Sequence, residues 1–116
     1  MKRIAVLRCL KSSSHCSGAG CLKILFNKDK VYSKYKEEDI QLAAFWTCNG
    51  CDDISLGDEE GLRRKIASME RSSVDVVHLS HCVFKKNTDG SEEVCPQVRA
   101  IVSELEKIGV RVEKGF

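Results

Sequence analysis

Cysteine is the residue type whose number and spacing set this sequence apart, because 116 residues contain seven of them. Cys48-Asn49-Gly50-Cys51 is a C-x-x-C motif, and its Asn-Gly pair favours a tight turn that lets both sulfurs face one centre. A histidine, His81, directly precedes another cysteine. The remaining cysteines are Cys9, Cys16, Cys21, Cys82 and Cys95. Thiols and imidazoles grouped in this way bind metal ions or carry out thiol–disulfide chemistry.

The cysteines are predicted to be reduced thiols and not a disulfide framework. Their number is odd, and a hydrophobic content of 42% allows a core without covalent crosslinks. Residues 1–7 form a short basic and then apolar run that lacks the long apolar segment and cleavage site of a secretion signal. We therefore expect a cytoplasmic protein, where clustered cysteines more often bind metal or act in redox chemistry.

The composition argues against several other classes of protein. Charged residues make up 31% of the chain with both signs interspersed, and a net charge of +2 gives no reason to expect a nucleic-acid partner. No segment approaches the roughly 20 apolar residues that a membrane-spanning helix needs. The length suits one domain, residues 1–116. No protein partner is indicated.

Hydrophobic patterning predicts alternating strands and helices. Four segments have the pattern of strands: residues 4–7, 40–46, 74–79 and 110–113. Three segments have helical spacing: residues 22–26, 62–69 and 98–108. Acidic residues 58–60, Pro96 and Gly109 are typical of helix ends. This order predicts an α/β fold, a single-domain three-layer sandwich with a four-stranded parallel sheet. We expect the strand order 2-1-3-4, as in flavodoxin-like and Rossmann-like proteins.

All seven cysteines fall in the predicted β→α connections or at helix starts, which share one end of a parallel sheet. The strongest candidates for metal ligands are Cys9, Cys48, Cys51 and Cys82. Second choices, which would complete this site or line another, are Cys16, Cys21, Cys95 and His81. We expect zinc, although about four thiolates would also hold an iron–sulfur cluster, and spacing alone does not choose between them.

A thiol-redox enzyme is the alternative function. Cys48 and Cys51 would cycle between dithiol and disulfide, or a relay would use Cys9, Cys82 and Cys95. Tyrosine-phosphatase chemistry is disfavoured because the anion loop of low-molecular-weight phosphatases is C-x5-R, whereas Cys9-x5 arrives at His15. Thioredoxin is also a poor match, because residues 52–57 separate the C-x-x-C from the next helix.

Three further features carry expectations of their own. His78 lies inside the third strand, where a hydrogen-bonded core histidine is expected. The side chain of Arg8 should lie on the opposite side of the sheet from Cys9, paired with Asp75 or another carboxylate, or holding an anionic ligand. Residues 85–93 are polar and are predicted to form a long loop, a candidate lid or a surface for another protein.

The sequence resembles the CGGC-domain family of small bacterial and archaeal proteins. The matching elements are Arg8-Cys9, Cys16-x4-Cys21, Cys48-Asn49-Gly50-Cys51, the segment from His78 to Cys82, and Cys95-Pro96. They span nearly the whole chain in the expected order. The resemblance implies metal binding by the shared cysteines and histidines. The sequence departs from the naming motif at Asn49, where the family has glycine, but asparagine also tolerates left-handed backbone angles.

Overall fold

The main sheet has four strands that all run in the same direction. In the computed structural model, which describes residues 1–51 and 59–116, the strand order is β2-β1-β3-β6 and each neighbouring pair is parallel. The strands are β1 (Lys2–Arg8), β2 (Ile40–Thr47), β3 (Val76–Leu79) and β6 (Arg111–Lys114). The predicted fold class is confirmed. The last strand of the sheet is the sixth along the chain because two short strands precede it.

Helices and 3-10 turns connect the strands. The helices are α1 (Leu10–Ser13), α2 (Ala19–Phe26), α3 (Glu59–Arg71) and α4 (Pro96–Lys107). Two 3-10 helices span Lys30–Tyr35 and His81–Val83. Among the described residues no helix is long and apolar enough to cross a bilayer. The predictions made for residues 52–57 and Asp58 concern residues outside the described part of the chain.

The segment predicted as a long loop at residues 85–93 is instead mostly a β-hairpin. Its strands are β4 (Phe84–Lys86) and β5 (Glu92–Val94), which pair antiparallel with Phe84 opposite Val94. Lysines on one strand face glutamates on the other, and opposite charges across an antiparallel pair stabilise it. The polar residues of this segment therefore belong to an exposed hairpin and not to an irregular lid. The sequence pattern did not predict its two strands because each is short and charged and has no apolar alternation.

The sheet is buried on both faces by two separate core layers. Alternate residues of β1 point to opposite sides, so Ala5 and Leu7 join one layer while Ile4 and Val6 join the other. The first layer includes buried residues of α3 and α4, and the second includes Leu25 of α2 and tyrosines of the first 3-10 helix. This three-layer packing explains why the β1 sequence is a continuous apolar run.

The third strand is shorter than predicted. Val74 is buried, but its N–H donates to the carbonyl of Met69 and Ser73 has a φ of 54°, so these residues form the turn that ends α3. The strand itself begins at Val76. An apolar residue in a tight turn gives the same sequence signal as the first residue of a strand.

His78, at the centre of β3, is fully buried and hydrogen-bonded at both ring nitrogens, as predicted. Its Nδ1 lies 2.7 Å from the carbonyl oxygen of Lys114, which can only accept, so Nδ1 carries the proton. Its Nε2 accepts from the hydroxyl of Tyr35 at 2.8 Å. Burial raises the pKa of Tyr35 to about 12, which keeps that donor protonated. This histidine therefore stabilises the contact between β3, β6 and the first 3-10 helix.

Removing the Tyr35 hydroxyl should destabilise the fold more than removing that of Tyr32. The Tyr35→Phe change leaves Nε2 of buried His78 without its donor, and we expect it to lower the free energy of unfolding by about 1–3 kcal/mol. Tyr32→Phe is a matched control, because the buried Tyr32 hydroxyl has no hydrogen-bond partner within residues 1–51 and 59–116. Urea unfolding of both variants measures the difference, and equal losses would contradict this account.

Burial also makes His78 a source of acid sensitivity. It lowers the pKa of His78, so the folded state takes up this proton less readily than the unfolded chain, whose histidines titrate near 6.5. Stability is therefore complete above that value and is lost as pH falls below it, with a slope of at most about 1.4 kcal/mol per pH unit. His78→Gln should flatten this slope in unfolding experiments from about pH 7.5 to about pH 5.5, and an unchanged slope would contradict this account.

Candidate metal and thiol site

Four of the seven cysteines line one small cavity at the carboxyl end of the sheet. They are Cys9, Cys48, Cys51 and Cys95, and the cavity has a volume of about 20 Å³. Its wall is completed mainly by Gly50 and by two valines, Val83 and Val98, with Lys11 and Gln97 at the edge. A cavity needs roughly 10–15 Å³ to hold one water molecule. The space is therefore sized for a single small occupant.

Cys9 is held where β1 passes into α1. It is the residue before the first turn of α1, in an extended conformation, and its carbonyl accepts from the N–H of Ser13. Its own N–H donates to Sγ of Cys82 at 3.2 Å. The next N–H, that of Leu10, donates to Sγ of Cys48 at 3.4 Å. Two successive backbone amides therefore hold the sulfurs that follow two different strands.

The C-x-x-C segment begins where β2 ends. The N–H of Cys48 donates to the carbonyl of Arg8 at 3.2 Å, which extends the pairing of β1 and β2 by one residue. Cys48 is buried and Cys51 is partly exposed. Gly50 has a φ of 95°, a left-handed conformation that glycine adopts without strain. This turn lets both cysteines of the motif line the same cavity.

Cys82 and Cys95 come from the connection between β3 and α4. Sγ of Cys82 lies 3.0 Å from Oγ of Ser80 and also accepts from the N–H of Cys9. Cys95 precedes the first turn of α4, and its N–H donates to the carbonyl of Val83 at 2.9 Å. The β4–β5 hairpin, inserted between these two cysteines, thus returns the chain to the cavity, so Cys95 lines it as well.

A lysine that the sequence analysis did not single out holds the C-x-x-C loop. Nζ of Lys65, on α3, donates to Oδ1 of Asn49 at 2.6 Å and to the carbonyl oxygen of Thr47 at 3.0 Å. Asn49 is the position where this chain departs from glycine, and its side chain supplies the acceptor. Residue spacing could not predict this contact, because Lys65 lies on α3, a separate element that follows the motif in sequence. Lys65 thus ties the C-x-x-C loop and the end of β2 to α3.

Three candidate ligands lie apart from the cavity. Cys16 is exposed in the connection between α1 and α2, and Cys21 lies in the first turn of α2, a helix that packs against the other core layer. His81 is exposed, and its ring packs edge-on against Phe116 with centroids 4.9 Å apart. None of these three lines the cavity, and neither does Cys82, which the sequence analysis placed among the four strongest candidates. Connections at one end of a sheet can still open toward different faces, which sequence position alone does not reveal.

The thiols are close together, but they are not arranged as a finished coordination sphere. Within the described residues, no three His, Cys, Asp or Glu side chains are placed so as to hold one metal ion. No disulfide joins any two of the seven cysteines, all of which lie in the described residues, and Cys9, Cys82 and Cys95 pack against the hydrophobic core. Neutral cysteine behaves as a small hydrophobic residue. Ligation would require these side chains to turn from the core toward a common centre.

Arg8 lies on the other face of the sheet from this cavity, as predicted. Its guanidinium carbon stands 5.0 Å above the ring centroid of Phe45, a residue packed against the second core layer. The predicted pairing with Asp75 is wrong. Oδ2 of Asp75 accepts from the backbone N–H of Arg3 at 2.8 Å, at the opposite end of β1. Arg8 ends β1, whereas Asp75 directly precedes the start of the neighbouring strand β3. Because these strands are parallel, the two residues lie at opposite ends of the pair and are too far apart for this contact.

The fold and the grouped thiols define a cysteine-rich α/β protein. The CGGC domain matches residues 3–115, so the chain belongs to the CGGC-domain family. A curated relative, an uncharacterized protein of Methanocaldococcus jannaschii, is 28% identical over 87 residues. The match covers 71% of this chain and 62% of that relative, so it spans less than two thirds of the relative's length. No solved structure matches the chain.

Replacing Lys65 should loosen the C-x-x-C loop. Lys65→Met keeps the aliphatic stem but removes the hydrogen bonds from Nζ to Asn49 and Thr47, and we expect a loss of about 1–3 kcal/mol in the free energy of unfolding. Sulfurs of the loop should also react faster with a thiol reagent. Arg64→Met is the matched control, since its exposed ion pair with Glu60, at 3.7 Å, is worth less than about 1 kcal/mol. Equal stability and equal labelling rates in both variants would rule out this role for Lys65.

Proposed function

We propose that this protein binds a single zinc ion through the thiolates of Cys9, Cys48, Cys51 and Cys95. The observation that carries the proposal is the shared cavity: these four side chains come from three separate connections of the sheet and line one space of about 20 Å³. Four thiolates are a complete tetrahedral ligand set for zinc in structural sites. Membership of the CGGC-domain family supports metal binding in general.

The size of the cavity favours a single ion over a cluster. An iron–sulfur cluster contains several irons and sulfides and is held by about four thiolates around its outside. A space of about 20 Å³ suits one ion, toward which the four side chains would have to turn, whereas a cluster would require the connections themselves to move apart. Soft thiolate donors suit zinc, whose preferred tetrahedral geometry imposes little on the protein.

The surroundings of the thiols supply what a metal–thiolate centre needs. Hydrogen bonds to ligand sulfurs orient the ligands, and the Leu10 N–H already points at Sγ of Cys48. The ammonium of Lys65 is held on Asn49, inside the C-x-x-C motif, and would offset part of the negative charge that four thiolates and one zinc ion leave behind. Cys82, whose sulfur accepts from Cys9 N–H, is assigned to this supporting shell.

A zinc ion with four protein thiolates has no open position for substrate, so we propose a structural role. Bound zinc would join the connections after β1 and β2 to the start of α4, and would thereby stabilise the end of the sheet where long loops meet. The chain's own residues contribute the deprotonated sulfurs and exclude water through Val83 and Val98. A cytoplasmic setting, which keeps such thiols reduced, belongs to the same proposal.

Zinc titration of the reduced, metal-free protein tests this assignment. We expect one equivalent to bind tightly and to raise the thermal midpoint. Serine at Cys48, Cys51 or Cys95 should weaken the affinity, measured against a chromophoric chelator, by at least about 100-fold, since loss of a mere supporting residue already costs about 10–100-fold. Serine at Cys16 or Cys21, and His81→Gln, should leave the affinity unchanged, because these residues do not line the cavity.

Cys82→Ser separates two versions of the ligand set. If Cys82 is a supporting residue, its loss should cost less affinity than the loss of Cys95. If Cys82→Ser lowers the zinc affinity more than Cys95→Ser does, Cys82 would take the place of Cys95 among the four ligands. Failure of the reduced protein to bind zinc would refute the proposal, as would a sulfide-bearing iron chromophore in anaerobically purified protein, which would identify an iron–sulfur cluster instead.

Thiol–disulfide chemistry is the second candidate function, favoured by one specific observation. Cys48 and Cys51 line the same cavity across a turn with left-handed Gly50, which leaves the two cysteines of the motif close to one another. The protein would then cycle between a Cys48–Cys51 disulfide and the dithiol. Peptide mapping after mild oxidation, followed by reduction with a thioredoxin system, distinguishes redox function from zinc binding. A reversible Cys48–Cys51 disulfide in protein that does not bind zinc would favour redox function.

A further inference from the structure

The last strand of the sheet has one long edge without a neighbouring strand. Among the described residues, β6 pairs with β3 alone. The N–H of Arg111 donates to the carbonyl of Asp75. Four residues further on, the N–H of Gly115 donates to the carbonyl of Leu79. Because successive residues of a strand turn their backbone groups to opposite sides, the N–H and C=O of Val112 face away from β3. This edge therefore has the backbone groups that pair with another strand.

Two side chains of opposite charge lie on one face of this edge strand. Arg111 and Glu113 are two residues apart, and Nη2 of Arg111 lies 3.0 Å from Oε2 of Glu113. The Arg111 side chain is 67% exposed, so it is free to turn to a carboxylate of another chain. Charged residues on a short edge strand usually prevent pairing with other chains. They prevent it for most partners, but not for a strand whose charges stand in the complementary order.

A second copy of β6, running antiparallel to the first, has that order. A two-fold axis at Val112 sets this residue opposite Val112 of the second copy, and their outward N–H and C=O groups then exchange two hydrogen bonds. The same register sets Arg111 of each copy opposite Glu113 of the other. Moving the axis by one residue would set either Arg111 or Glu113 opposite itself, and like charges directly opposite each other are destabilising. Backbone pairing and charge therefore select the same register.

The face of β6 that carries Val112 borders an apolar groove. The groove has a volume of about 310 Å³ and lies between β6, α4 and the β4–β5 hairpin. Phe84, Val94 and Val102 line it together with Val112. In the register described above, Val112 of the second copy would lie beside this valine on the same side of the sheet, and their contact would remove apolar surface from water. The charge pairs would lie on the opposite side.

We propose that this protein forms a two-fold symmetric dimer through the free edge of β6, with Val112 opposite Val112 and Arg111 opposite Glu113 of a second copy. Two four-stranded sheets then become one continuous sheet. Symmetry makes each Arg111–Glu113 pair occur twice. Because a four-residue strand gives a small contact, the dimer is weak and reversible. The cysteines of the metal cavity take no part in this contact, so the dimer does not depend on the proposed zinc site.

Sedimentation equilibrium of the full chain tests the dimer, in a buffer whose phosphine reductant prevents disulfides between copies. The weight-average mass should rise with protein concentration from 13.0 kDa toward twice that value. High salt should weaken the dimer, because it screens exposed charge pairs. A mass that stays at 13.0 kDa up to about 1 mM protein would overturn the proposal. Species larger than a dimer would also overturn it, since a two-fold contact closes on itself.

Charge reversal tests the register. Arg111→Glu sets two carboxylates opposite each other and Glu113→Arg sets two guanidiniums opposite each other, so each change should raise the dissociation constant of the dimer by at least about tenfold. An equimolar mixture of the two variants should dimerise again, because opposite charges then meet at both positions. Arg63→Glu, at an exposed site on α3, is the matched control and should leave the dissociation constant unchanged. A mixture that stays monomeric, although both variants have the circular dichroism of the unchanged protein, would refute this register.

Val112→Pro tests the backbone pairing separately from the charges. Proline lacks the N–H that would donate to the second copy, but it is tolerated on an edge strand where that N–H faces away from the sheet. The variant should keep the circular dichroism of the folded chain and should remain monomeric. A folded Val112→Pro protein that dimerises as strongly as the unchanged chain would exclude β6 as the contact.

Discussion

The common direction of the four strands is the constraint on which the rest of this structure depends. Because every strand of the β2-β1-β3-β6 sheet is parallel, each connection must cross back along a face of the sheet, and the carboxyl ends of the strands meet at one end. Cysteines separated by dozens of residues therefore become neighbours without any local sequence signal. The cavity lined by Cys9, Cys48, Cys51 and Cys95 is a direct result of this topology.

The thiols at this end have two physical roles that do not conflict. As neutral groups they are small and apolar, and they fill the space between the valines and the core of α4. As thiolates they are soft ligands, and a cation removes the cost of bringing their charges together. The backbone amides of Cys9 and Leu10 donate to the sulfurs of Cys82 and Cys48 and hold them at this end of the sheet.

The alternation of β1 divides the chemistry of the protein between two faces. Arg8 and Cys9 are adjacent in sequence, but the guanidinium lies with Phe45 against one core layer and Cys9 packs against the other. The cysteines of the cavity lie among apolar residues such as Val83 and Val98, whereas Cys16 is exposed and its backbone carbonyl accepts from the buried guanidinium of Arg8. Two neighbouring residues of one strand thus place their side chains in different environments.

Sequence by itself determined the class of fold and the end of the sheet where the cysteines gather, because hydrophobic periodicity and β→α topology depend on local residue type. It also predicted the buried role of His78 and the face on which Arg8 lies. The tertiary structure decided which thiols share a space: Cys95 lines the cavity because a hairpin returns it there, while Cys16 and His81 lie outside. It also decided the partners of long side chains, such as Lys65 on Asn49 and Arg8 beside Cys16. Such contacts depend on the direction and length of side chains that come from distant elements, and residue spacing in the sequence predicts neither.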